Sequence, residues 1–218
     1  MHLAQILSLL SLPSTHFIWF CFGYIPYIYI HVYVIYVCYE SKKTSSIIAL
    51  FILSLTCFST IAVNAYVLLQ GWTFSTSTII VLDNTGYSET PTAVNNWNSY
   101  VLDARFSLTG LPFSHHIGMV RVNNPGVGWD GATTPYFDIW GHLYKMKIEI
   151  NHATCGTYAS WVRRSVIAHE LGHGFSLGDQ YFVPVLMNGA TWGINSRCGT
   201  FGIFTPQADD RAGVNAAY

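Results

Sequence analysis

The run His169-Glu170-Leu171-Gly172-His173-Gly174-Phe175-Ser176-Leu177-Gly178-Asp179 constrains this chain more than any other stretch. His169 and His173 are one helical turn apart, so on a helix both imidazoles project from one face and can bind the same ion. The flanking residues predict that helix: from Ala159 to about Leu177, Val162, Val166, Ile167 and Leu171 are apolar, and Gly178 is a stop signal. Two histidines leave a catalytic zinc site incomplete, because such an ion takes three protein ligands and keeps one position open. Asp179 is the obvious third ligand. The chain must bend away from the helix to bring it round, and Gly174 and Gly178 supply flexibility for that bend. Glu170 is rotated off the ligand face but reaches the open position, where a carboxylate can take a proton from water and pass it to a leaving amine. An accidental match would be a helical histidine pair satisfied by solvent. Asp179, an export signal and a methionine downstream weigh against that reading.

The export signal lies in residues 41–65. Lys42 and Lys43 precede Ile47 to Val63, which carry no charge, and Val63-Asn64-Ala65 places small residues at −3 and −1 of a cut after Ala65. This is the pattern of a secretory signal peptide, with a membrane-spanning helix as the alternative. Residues 17–39 form a second apolar run, crowded with Tyr and Ile and interrupted by Pro26. Because a better-formed signal follows, residues 1–40 are read as a doubtful hydrophobic leader from an over-extended start. The working domain is then 66–218. Taking Glu40, Lys42 and Lys43 from the 10 Lys plus Arg and 11 Asp plus Glu of the chain leaves that domain near −2. So mild a charge argues against nucleic acid or an anionic membrane as partner. Cys155 and Cys198 are its two cysteines. An even count in an exported chain reads as a disulfide, which would close a loop of about 40 residues and contribute roughly 3–4 kcal/mol. Two buried thiols are the alternative.

Elsewhere, Thr78 to Asp83 and Ile117 to Val122 read as strands, and Thr92 to Asp103 as a helix with Ala93, Val94, Trp97, Tyr100 and Val101 on one side. A glycine-rich loop, Asn124 to Ala132, follows the second strand. Met146 to Asn151 alternates and puts Lys147 and Glu149 on one face, as a half-exposed or edge strand would. The order strand, helix, strands, helix predicts a small α/β (α+β) sandwich.

His169 to Asp179 resembles the long zinc-binding motif of the metzincin metalloproteases, HExxH followed by xxGxx and a third His or Asp. Val185-Leu186-Met187-Asn188 is similar to their Met-turn, which would make Met187 the apolar floor beneath the ligands; by itself Met187 would read as an ordinary core methionine. More loosely, Ala93 to Trp97 is similar to the first helix of matrixin-like domains, Ile148 to Asn151 to their edge strand, and Thr205 to Asp210 to the start of their C-terminal helix. Aspartate as third ligand is the variant of snapalysin-like members. The resemblance implies a twisted mixed sheet with an active-site helix and a C-terminal helix, one catalytic Zn2+ on His169, His173 and Asp179, and Glu170 as general base and then acid. It also implies a protein or peptide substrate extended along the edge strand, here Met146 to Asn151, with Ala190, Thr191 and Trp192 as candidates for the wall of the pocket beyond the scissile bond and plain core as the alternative for Trp192.

Two departures stand out. Ser176 replaces the motif glycine where the chain turns sharply, so either Gly174 or Gly178 makes the turn or Asp179 sits differently. No propeptide with a cysteine switch precedes the domain. His115, His116, His142 and His152 read as surface or loop residues, with a second, structural zinc as the alternative; Asp130 and Asp138 flank glycines as calcium ligands could, but no loop with regular oxygen-ligand spacing surrounds them. The expectation is a secreted, monomeric zinc metalloendopeptidase, with no stable membrane association once the signal is cut and with activity that falls in acid. Its alternatives are an idle metzincin-like binding module, against which Glu170 speaks, and a membrane-tethered protease.

Overall fold

In the computed structural model, residues 66–218 are described; the predicted leader and signal segments lie outside them. Five strands form one mixed sheet: β1 (Thr78–Asn84), β2 (Arg105–Thr109), β3 (Ile117–Val122), β4 (Gly131–Phe137) and β5 (Leu143–Asn151). The order across it is β2-β1-β3-β5-β4, with every neighbouring pair parallel except β4 against β5. Alternation builds the core from this sheet. Ile79, Val81, Ile117, Met119, Met146, Ile148 and Ile150 are all 0% exposed, while most residues between them are only partly covered.

Helices cover the apolar face. α1 (Glu89–Tyr100) is followed much later by a single turn, α2 (His152–Cys155), then α3 (Ser160–Gly174) and α4 (Ala208–Ala217). α1 begins three residues before the expected Thr92 because Pro91 falls in its first turn, where a missing N–H costs nothing. It packs on α3 through Trp97, which is fully buried and donates its indole N–H to Ala168 O at 2.8 Å. Phe175 continues the same cluster, 3.9 Å from the Phe106 ring and 5.4 Å from Trp97. Deleting a buried tryptophan of this kind costs about 3–5 kcal/mol. α4 carries a capping box, Gln207 with Asp210, and no helix among the described residues is long and apolar enough to cross a membrane.

Three expectations need correction. β5 is an interior strand, because β3 pairs on one side of it and β4 on the other. The edge strand beside α3 is β4, whose first residue, Gly131, belongs to the segment read as a glycine-rich loop. Lys147 and Glu149 do share the uncovered face of the sheet, as a 2.6 Å ion pair. The predicted Cys155–Cys198 disulfide is absent: both are buried free thiols. Each is satisfied locally instead, Cys155 Sγ on Asn151 O at 2.9 Å and Cys198 Sγ on Ile203 O at 3.8 Å. Finally, α3 ends at Gly174 rather than near Leu177, and neither glycine makes the turn. Ser176 itself takes the left-handed conformation, with φ 68°. Gly174 and Gly178 serve close packing: a methyl group on them would lie 2.6 Å from Ile117 Cδ1 and 2.9 Å from Val67 Cγ1. Ser176 is held by Leu69 N–H on its carbonyl at 2.7 Å and by a 3.0 Å hydroxyl contact with Thr73, which offset a strain of about 1–2 kcal/mol.

Candidate metal centre

α3 places His169 and His173 one turn apart, and the turn at Ser176 returns the chain so that Asp179 faces them. One ligand atom from each of the three lies within 4.8 Å of the others, so the group could hold a metal ion. Asp179 Oδ1 is 3.0 Å from His169 Nε2 and 3.7 Å from His173 Nε2. Ligands at about 2.1 Å from a tetrahedral ion are about 3.4 Å apart, so these separations fit zinc, as does the donor set of two imidazoles and a carboxylate.

The far side of each ring is fixed by backbone. His173 Nδ1–H donates to Leu177 O at 2.7 Å, and His169 Nδ1 faces Leu186 O at 3.0 Å. Such contacts put the proton on Nδ1 and free the Nε2 lone pair for an ion. His169 has a second neighbour, Arg197 Nη1, 2.9 Å from the same nitrogen. A guanidinium can only donate, so the two contacts belong to opposite tautomers. With an ion on Nε2, Nδ1–H goes to Leu186 and Arg197 keeps its bond to Asn188 O; without one, Nε2–H donates to Asp179 and Nδ1 accepts from Arg197.

Burial pushes the His173 imidazole below its ordinary pKa, and the charge of His169 adds to the effect. Burial alone would raise Asp179, but its hydrogen bond to His169 and the charges of His169, His173 and Arg197 outweigh it and hold the carboxyl low. His173 and Asp179 therefore both favour the deprotonated, ligating state. Side-chain exposure is 5% at His169, 11% at His173 and 42% at Asp179, so the aspartate forms the wet side.

Glu170 stands in the same cleft, of about 750 Å³, bounded by α3, by β4 and by residues 189–197. Its carboxylate accepts from Thr133 Oγ1 at 2.8 Å. The expected wall residues Ala190, Thr191 and Trp192 all line the cleft, and Trp192, 48% exposed, is not core. Met187 is buried, with its sulfur against Gly172 of α3, where any side chain would overlap it.

Two residues escaped the sequence reading. Asp210, fully buried at the start of α4, accepts from the backbone N–H groups of Leu186 at 2.8 Å, Met187 at 3.0 Å and Gln207 at 2.7 Å. Burial pushes its carboxyl up, against the pull of these bonds. Arg197, 1% exposed, ties the loop to α3 through Ser165 Oγ at 2.8 Å and to Thr191 Oγ1 at 3.2 Å. The capping box with Gln207 is a local signal for Asp210 as a helix start only. The partners that tie each residue to the site, Leu186 and Met187 for Asp210 and Ser165 for Arg197, lie 23 to 32 residues away, so spacing along the chain does not reveal them.

Of the other candidates, His142, His152, His116, Asp138 and Asp130 have partners other than these three ligands, while the buried His115 Nδ1 has none among the described residues. His142 meets Asp138 at 3.2 Å, His152 meets Tyr87 OH at 2.8 Å, His116 Nδ1 accepts from Ile80 N–H at 2.9 Å, and Asp130 accepts from Tyr158 OH at 3.0 Å. Among the described residues, His169, His173 and Asp179 are the group of metal-ligating side chains that converges. Compared with protein-family models and with curated proteins, the chain matches none.

Proposed function

We propose that the chain is a secreted metzincin-like zinc endopeptidase. The observation that carries the reading is the convergence of His169 Nε2, His173 Nε2 and Asp179 Oδ1, with both opposite ring nitrogens facing backbone carbonyls and Glu170 beside them. A mixed sheet, a helix bearing the histidines and a C-terminal helix, as the metzincin resemblance implies, support the reading at the level of overall architecture.

When bound, zinc supplies a Lewis acid for the scissile carbonyl and for water. Glu170 takes the proton from the attacking water and delivers it to the departing amine nitrogen. The substrate lies extended along β4, pairing with the edge that β5 leaves free. Pro135 removes one N–H from the far part of that edge, so pairing falls to Gly131–Thr134, nearest Glu170. Trp192, Thr191 and Ala190 then flank the side chain beyond the cut bond.

The test measures zinc per chain and casein cleavage for wild type and Glu170→Ala. One zinc in each, with cleavage reduced at least about 10³-fold in the variant alone, supports the reading. A folded wild type without zinc overturns it. Zinc without cleavage transfers the site to a binding module.

A further inference from the structure

The edge strand does more than border the cleft. Gly131 and Thr133 are two residues apart on β4, so both present the same face, and that face meets Glu170. Thr133 Oγ1 donates to Glu170 Oε2 at 2.8 Å. A methyl group on Gly131 would lie 2.6 Å from Glu170 Cγ and Oε1 and 2.8 Å from Cδ, so glycine leaves the space that the carboxylate fills. Glu170 is 5% exposed, and among the described residues its carboxylate has neither an ion-pair partner nor any hydrogen-bond donor except Thr133. The clamp is itself anchored, because Gly131 pairs with buried Ile150 and Thr133 with buried Ile148.

We infer that Thr133 and Gly131 are positioning residues for Glu170, turning its carboxylate so that Oε2 is held by the strand and Oε1 is left as the oxygen that takes the proton. The inference rests on the endopeptidase reading. A base misplaced by about 1 Å costs on the order of 10²-fold in rate, and a charge-assisted hydrogen bond in a dry site is strong enough to prevent that. Because the clamp is built from the strand that receives the substrate, a peptide pairing with β4 meets a base already set in register with it.

The experiment uses the purified full-length protein in two forms. In the zinc-loaded form, Thr133→Val is expected to lower kcat about 10- to 100-fold, with KM changed less than about twofold and zinc per chain unchanged. Thr133→Ser, which keeps the hydroxyl, should stay within about threefold of wild type, and Gly131→Ala, which displaces Glu170, should resemble Thr133→Val. In the metal-free form, NMR should find the Thr133 hydroxyl proton exchanging slowly in wild type and quickly in Glu170→Ala. A hydroxyl that exchanges equally fast in both, or a Thr133→Val variant with wild-type kcat, overturns the inference and leaves the endopeptidase reading intact. A zinc-loaded wild type that hydrolyses nothing, yet has a slow hydroxyl, overturns the endopeptidase reading and with it the positioning role.

Discussion

The cleft has two kinds of wall, and they differ in how far apart along the chain their parts lie. The α3 wall is local: His169, Glu170 and His173 fall within five consecutive residues, and helix geometry alone aims the two imidazoles together. The opposite side is assembled from Gly131 and Thr133 on β4, Asp179 and Arg197, and is backed by the buried Leu186–Met187 turn and Asp210. These two sides are not independent. Asp210 holds the Leu186 N–H, and the Leu186 carbonyl faces His169 Nδ1, so the local motif is braced by a residue from the last helix. A motif that reads as self-sufficient thus depends on distant backbone for the orientation of its first ligand.

Asp210→Asn tests that dependence most severely. The amide keeps one accepting oxygen but turns its NH2 onto either the Met187 N–H or the Leu186 and Gln207 N–H groups, and orphaned buried amides cost about 1–3 kcal/mol each. We expect thermal or urea unfolding to show a loss of about 3 kcal/mol, and chelator competition to show zinc bound at least about tenfold more weakly. Full zinc affinity in a destabilised but folded variant would mean that the α3 wall stands alone after all.

Acid separates the two walls by sign. His173 is depressed in the folded protein, so folding favours its neutral form; that contribution is complete above the ordinary imidazole pKa of about 6.5 and is lost as pH falls through the lower folded value. Asp210 is raised, so its contribution grows as pH falls from above the folded value towards the ordinary carboxylate range. Melting of the zinc-free protein should therefore decline below about pH 6.5 in wild type and less steeply in His173→Ala. Parallel declines in the two proteins would remove His173 as the cause. Zinc retention should fall over the same acid range, since every ligand must be deprotonated.

The smallest effect sharpens the comparison at the link between the walls. Ser176→Gly relieves the left-handed strain but gives up the Thr73 contact and adds freedom to the unfolded chain. Stability should shift by less than about 1 kcal/mol, with zinc stoichiometry unchanged. Loss of zinc would show that the serine hydroxyl, rather than the turn it makes, places Asp179.

Particular residues show why some of this was legible in the sequence. The strands at Thr78, Ile117 and Met146 carry apolar residues at every second position because one face is buried, and that periodicity survives in one dimension. β4 reads Gly-Ala-Thr-Thr-Pro-Tyr-Phe, an edge strand that buries little, so it carries no such pattern. With no such pattern in β4, periodicity alone points to the neighbouring β5 as the edge. The cysteine pair misled for a related reason: counting establishes that a bridge is chemically available, whereas only the fold sets each thiol beside its own carbonyl.

By itself, then, the sequence determined the facing histidines, an aspartate six residues on as their candidate partner, and the apolar stripes that assemble a sheet under helices. The histidine pair and the stripes are consequences of helix and strand periods, which act over a few residues, whereas the aspartate is brought round only by the turn at Ser176. Tertiary structure alone decided which strand forms the edge, what orients Glu170, how Asp210 and Arg197 brace the residues around His169, and that Ser176 makes the turn itself. Those contacts join residues dozens of positions apart through backbone groups and hydroxyls, and such partners are specified by packing in three dimensions rather than by spacing along the chain.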